Sequence, residues 1–158
     1  MDNYIIMQTP IGRLVIKENG TAVTAVYLEK KKANEQEILK VSAKETPLLR
    51  ETKKQLQEYF AGKRKSFDLP LQPKGTVFQQ AVWQALCQIP YGETRSYKEL
   101  AAMVGNPKAS RAVGGANNKN PILILTPCHR VIGTDGSLTG FAAGLPAKKY
   151  LLELEQKY

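Results

Sequence analysis

Apolar residues follow two different periods along this chain, and the change falls near its midpoint. Residues 4–7 form a short apolar strand, Thr9-Pro10-Ile11-Gly12 a turn, and residues 13–17 a second strand. Asn19-Gly20 between apolar runs is a hairpin signal, because both residue types tolerate positive φ. Residues 21–28 alternate and are rich in β-branched side chains, so a small antiparallel sheet is expected. Residues 30–44 are polar and read as a surface connection or loose helix. Leu48, Leu49, Leu56, Tyr59 and Phe60 mark an amphipathic helix from Pro47 to Ala61, ended by Gly62. Residues 62–75, with Pro70 and Pro73, read as a linker.

Beyond it the period is helical. Thr76 is a plausible N-cap, and Phe78, Ala81, Val82, Ala85, Leu86 and Ile89 form one apolar face. Pro90-Tyr91-Gly92 stops that helix. Ser96 and Glu99 make a capping box that opens the next one, over residues 97–104. Gly105-Asn106-Pro107 breaks the chain before a helix over residues 108–116. Helix, short glycine-containing turn, helix is a helix-turn-helix layout. Residues 122–125 are a buried apolar run, strand or irregular. Val131-Ile132 is a strand before a turn at 133–136, and Pro146 opens a last helix with Leu151, Leu152 and Leu154 inward.

A length of 158 residues at 42% apolar composition suffices for one ordinary core and a smaller second one. No run approaches membrane-span length, and residues 1–6 lack a basic start and a long apolar region, so no secretory signal is read. The expected location is the cytoplasm, or the nucleus of a eukaryote. Two cysteines and one histidine give a zinc site few ligands, and an intracellular disulfide is not expected. The expected metal and cofactor content is none. A net charge of +9 suits either an anionic partner or simple solubility.

Position decides between those readings. From Gly92 to Arg130, six basic residues (Arg95, Lys98, Lys108, Arg111, Lys119 and Arg130) face only Glu93 and Glu99. Around Arg111 the sequence is Ala109-Ser110-Arg111-Ala112-Val113-Gly114-Gly115-Ala116. Small side chains there suit a helix pressed into a nucleic-acid groove with Arg111 reaching in, or two helices packed through small residues. The sharper signal is Thr126-Pro127-Cys128-His129-Arg130-Val131. A lone cysteine after an apolar run is usually inert core, as expected for Cys87. Cys128 differs in adjoining the only histidine and an arginine, and cationic or basic neighbours lower a thiol's pKa. In an extended segment adjacent residues point to opposite faces, so His129 would reach Cys128 only through a water, with a carboxylate elsewhere holding the imidazole.

Pro127-Cys128-His129-Arg130-Val131 resembles the active-site signature of the methylated-DNA–protein-cysteine methyltransferases (O6-alkylguanine-DNA alkyltransferases). The segments from Tyr91 to Ala101, Gly105 to Ala116, Asn120-Pro121, Gly140-Phe141 to Gly144-Leu145, and Leu154-Glu155 are similar to the family in order and spacing. The similarity is close over residues 75–156 and loose over 1–74. It implies an α+β fold with a small ribonuclease-H-like sheet-and-helix part, residues 1–74, and a winged-helix-like helix-turn-helix part, residues 75–158.

The resemblance further implies direct dealkylation of DNA. The alkyl group of a flipped O6-alkylguanine, with O4-alkylthymine as a second candidate, moves irreversibly to Cys128, once per molecule. His129 would act as base through a water, oriented by Glu155. Tyr97 would assist at the flipped nucleotide, and Asn120 would tie the recognition helix to the active-site segment. Arg111 would fill the base stack, with Ser96, Lys108, Ala112, Gly115 and Arg130 as further DNA contacts. Val131, Phe141, Ala142 and Ala143 would line the base pocket. The implied partner is double-stranded DNA containing alkylated guanine, bound by a monomer, without a membrane. Ala143 stands where the family commonly has glycine, which puts bulky alkyl groups in question. Phe141 and Ala142 lack the hydroxyls of some relatives, and the zinc ligands of some relatives are absent.

Taken singly, Tyr97 equally suits a core aromatic, Asn120 a turn, Glu155 a solvated terminus and Arg111 a phosphate contact. Their joint occurrence with the cysteine signature favours function. Two rivals stand beside it: an alkyltransferase-like damage-binding protein without catalysis, against which Cys128 argues, and a papain-type Cys-His hydrolase, which the basic second half opposes.

Overall fold

Asn19 folds the second hairpin by local bonding: its Oδ1 accepts from the amides of Thr21 and Ala22, while Gly20 takes φ of +97°. In the computed structural model, which describes residues 2–29, 42–141 and 143–158, strands β1 (Asn3–Thr9), β2 (Gly12–Glu18) and β3 (Val23–Leu28) form an antiparallel meander. The short strand β4 (Ser42–Ala43) adds to β1 in parallel, giving the order β3-β2-β1-β4. Helix α1 (Pro47–Phe60) packs on β1 and β2. Thr46 caps it by accepting from Leu49 N, and Leu49, Leu56 and Tyr59 bury its apolar stripe with Tyr4, Met7, Leu14, Ile16 and Val26. The polar reading of residues 30–44 lies mostly outside the described residues.

Two compact units result, Met1–Pro73 and Lys74–Tyr158. The expected linker at 62–75 is largely part of the first of them. Gln55 clamps the backbone of Asp68 from both sides, at 3.0 and 3.2 Å, and residues 70–72 bond to Val23. One buried amide thus satisfies a donor and an acceptor of a proline-flanked segment that local pattern marks as loose.

The second unit is helical, with α2 (Val77–Leu86), α3 (Tyr97–Met103), α4 (Ser110–Asn118) and α5 (Leu145–Lys157). Strand β5 (Arg95–Ser96) pairs in parallel with β6 (Val131–Ile132). Both Thr76 and Ser96 form complete capping boxes. The inward face of α2 is rotated from the expected one. Val82, Trp83, Ala85 and Leu86 are buried, whereas Phe78 and Ala81 are exposed. Trp83 decides this, because its bulk fills the space against α4 and its indole N–H donates to Ala116 O at 2.9 Å. Residues 122–125 are buried in an irregular turn rather than a strand, and Ile124 takes φ of +70°. Cys87, expected in the core, is exposed as the C-cap of α2. No helix among the described residues is long and apolar enough to cross a membrane.

Candidate active site

Asn120 sits just past α4 and organises the segment that follows. Its Oδ1 accepts from Ile122 N at 3.0 Å, and its Nδ2 donates to Ile122 O at 3.1 Å and Thr126 O at 2.9 Å. Asn117 Nδ2 adds a contact to Cys128 O at 3.4 Å. These amides hold the chain so that residues 128–130 form one 3₁₀ turn, not the extended segment expected. Successive side chains therefore leave at about 120° rather than on opposite faces.

The Cys128 thiol lies inside the unit, with 2% of the residue exposed. Burial pushes it up to about 11, against the pull of Asn120, the Lys148 ammonium and its own backbone N–H. This corrects the expectation that His129 and Arg130 depress it. Burial also holds His129 below the ordinary imidazole range despite Glu155, and Arg130 is directed elsewhere. The free protein carries a neutral thiol, and a thiolate must be generated when it is needed.

The machinery for that is buried beside it. His129 Nε2 lies 2.7 Å from Glu155 Oε2. A carboxylate only accepts, so the neutral ring carries its proton on Nε2. Nδ1 then presents a lone pair, and it has no hydrogen-bond partner among the described residues. Glu155 Oε1 accepts from Arg130 Nε at 2.8 Å and from Gly92 N at 3.3 Å, and Oε2 accepts from Arg130 Nη2 at 3.1 Å. Burial alone would raise this carboxyl, but hydrogen bonds from His129 and Arg130, with the guanidinium charge, bring it down to about 2.

Arg130, expected to contact DNA, is instead structural. Its guanidinium is buried, spans both Glu155 oxygens, donates to Ile89 O at 2.6 Å and lies over the Tyr91 ring. The basic charge read from its position is neutralised by a residue on α5. Of the six basic residues, Lys98, Lys108, Arg111 and Lys119 are exposed, with Ala112 and Gly115 exposed beside Arg111. Ser96 is half-buried, and its hydroxyl accepts the Glu99 amide of the cap.

A cleft of about 390 Å³ opens beside Arg111, lined by Tyr97, Ser110, Gly114, Asn118, Thr139 and Gly140 as well. Tyr97 OH donates to Thr139 O at 3.0 Å. Gly140 has φ of +52°, and a Cβ there would meet the Asn118 amide at 3.1 Å and Tyr97 OH at 3.4 Å, so a larger residue would both strain the loop and fill the cleft. The expected pocket residues are placed differently. Val131 is fully buried, Phe141 and Ala143 are half-exposed, and none of the three lines this cleft. Ala142 lies outside the described residues.

Sequence reasoning missed Ser110, Asn117, Asn118, Thr139 and Lys148. Only Lys148 had a signal. It shares a helical stripe with Leu151 and Glu155, so a lysine falls on the buried face of α5. The described residues hold no cluster of three or more His, Cys, Asp or Glu side chains suited to a metal ion.

Comparison with known proteins covers both units. Residues 77–157 match the DNA-binding domain of 6-O-methylguanine DNA methyltransferase, and residues 3–73 match its ribonuclease-like domain. A methylated-DNA–protein-cysteine methyltransferase of Methanosarcina barkeri is 51% identical, covering 97% of this chain and 96% of the relative. The constitutive one of Bacillus subtilis is 50% identical over 99% and 96%. Among solved structures, the Mycobacterium tuberculosis O6-methylguanine methyltransferase superposes with a TM-score of 0.90 at 43% identity, over 99% of this chain and 94% of that one. A structure of that organism's protein in complex with DNA gives 0.88 at 43% identity, over 98% and 93%.

Proposed function

Because the chain belongs to the methylated-DNA–protein-cysteine methyltransferase family, we propose that its own Cys128 is the acceptor through which it repairs O6-methylguanine in DNA. The observation that carries this assignment is the buried His129–Glu155 pair at 2.7 Å on the segment of Cys128, with His129 Nδ1 left as an acceptor. A water between Sγ and Nδ1 takes the thiol proton and passes one of its own to His129, while Glu155 balances the imidazolium. The sulfur attacks the methyl carbon as the carbon–O6 bond breaks. The bonding pair passes to guanine, which takes a proton as it leaves; Tyr97 and the imidazolium are the candidate donors. The product is a thioether, and no residue here reverses it, so each molecule acts once. No cofactor is required, since the methyl group comes from the DNA.

The exposed face of α4 is the DNA-contacting surface. Arg111 enters the stack where the damaged base leaves, and Lys108, Ala112, Gly115 and Ser96 lie along the backbone. Flipping costs a few kcal/mol, least for a weakly paired damaged base. The chain acts as a monomer on double-stranded DNA, in the cytoplasm or, in a eukaryote, the nucleus. O4-alkylthymine is a second substrate on this reading.

Intact-mass measurement after mixing with a duplex carrying O6-methylguanine tests the reading: one methyl gained, on the peptide containing Cys128. Binding without mass gain would mark a damage-recognition protein instead. Two further outcomes are expected. Arg111→Ala slows repair of duplex by about tenfold or more while repair of a single strand changes little, measured as single-turnover rates; equal losses on both would remove the stack-filling role. The affinity for DNA falls with salt at a log–log slope of roughly −0.9 per phosphate neutralised.

A further inference from the structure

Lys148 has no surface open to solvent. It sits on α5, one turn before Leu151 and two before Glu155, and its ammonium donates to Val131 O and, at 2.8 Å, to Thr139 O. Those acceptors belong to the active-site strand and to the loop bordering the cleft, and Thr139 O also accepts from Tyr97 OH. Both are neutral carbonyls. A buried ammonium calls for an opposite charge. Glu155 is taken up by His129 and Arg130. Arg130 has the same sign, and His129 is held neutral. Asp135, in the loop, is exposed and bonded to Ser137. Tyr97 is a hydrogen-bond donor here. Among the described residues Cys128 remains, and the two groups act on each other: a negative sulfur raises the lysine, and the ammonium lowers the thiol.

We propose that Lys148 is the built-in counter-charge of the Cys128 thiolate, and that the same ammonium ties the strand residue Val131 to Thr139 in the cleft loop. It keeps its proton throughout: the thiol proton leaves by the water and His129, and Lys148 supplies only charge and position. Sequence spacing puts a cation on the buried face of α5, and the geometry gives it a use. The inference rests on Cys128 being the acceptor.

Burial brings the Lys148 ammonium down to about 8, with Cys128 opposing. The transfer rate of the wild-type protein on an O6-methylguanine duplex should therefore rise with pH and then turn over on the alkaline side as this charge is lost. Lys148→Met should slow transfer at neutral pH by about tenfold for each unit by which the thiol rises, so about 10- to 100-fold in all. Its profile should climb without turning over, and its DNA affinity should stay within about twofold. Lys148→Arg keeps a cation that does not titrate, so any activity it retains should also lack the alkaline turn; this variant covers the case in which the methionine protein does not fold. A methionine variant as fast as wild type, or an arginine variant with the wild-type turnover, would overturn the inference. Wild-type protein that gains no methyl on Cys128 would instead overturn the acceptor assignment, so the two failures are distinct.

Discussion

Cys128→Ala gains no methyl group from alkylated DNA, and its affinity for that DNA stays within about twofold of the parent. The expectation follows from where the sulfur is. It is held inside the second unit by the Asn117 and Asn120 amides, whereas Arg111 on α4 and Lys108 before it are exposed, so its removal takes away the reaction and spares the contact surface. The small cavity left costs about 1 kcal/mol, which thermal unfolding would register as a modest drop. Cys128→Ser should be equally inert, because a buried hydroxyl is much harder to ionise than a thiol. Radiolabel from the methylated base, followed on the protein and on the DNA in parallel binding assays, separates the two properties. Label appearing on the alanine variant would mean that a second acceptor operates, with Cys87 the remaining thiol.

Glu155→Gln should have the next largest effect, on stability and rate together. The carboxylate answers a buried guanidinium and an imidazole at once, with its side chain 1% exposed. Neutralising it leaves Arg130 as an uncompensated buried charge, worth about 3–5 kcal/mol. It also removes the anion that supports an imidazolium at His129, which should slow transfer by about 100-fold or more. Urea unfolding and single-turnover kinetics measure the two effects. A variant that unfolds like the parent would show that Arg130 finds another partner.

The pH dependence of stability has a definite sign. The Glu155 carboxyl is near 2 in the fold and returns to its ordinary 4.5 when unfolded. Its stabilisation is thus fully present above about 4.5 and is lost as the pH falls toward 2. His129 is also shifted down, so the unfolded chain binds its proton first and stability declines in the same direction below the ordinary imidazole value of 6.5. Acid unfolding monitored by circular dichroism should show both, and Glu155→Gln should flatten the lower limb.

Local signals in the chain marked much of this fold. The Asn19-Gly20 hairpin, the Ser96–Glu99 capping box and the small-residue helix around Arg111 each depend on contacts within a few residues, and periodicity reports such contacts well. What escaped depended on distant partners. Arg130 reads as a surface cation until Glu155, 25 residues on, is placed against it. Residues 68–72 read as a linker until Gln55 and Val23 take their backbone bonds. The thiol of Cys128 looks activated by its neighbours in sequence, but its burial outweighs them. Lys148 sits in a recognisable stripe, yet nothing local announces that its acceptors are two carbonyls.

A reagent that can react only once must remain unspent until its target arrives. The seclusion of Cys128, with its proton retained, shields it from stray electrophiles and oxidants in the surrounding fluid, which meet outlying thiols first. On the proposed assignment of Cys128 as acceptor, reactivity is withheld until a damaged nucleotide has been drawn into place. The same depth that makes the sulfur slow in isolation therefore preserves the pool of unused molecules, and repair capacity is drawn down by lesions rather than by time.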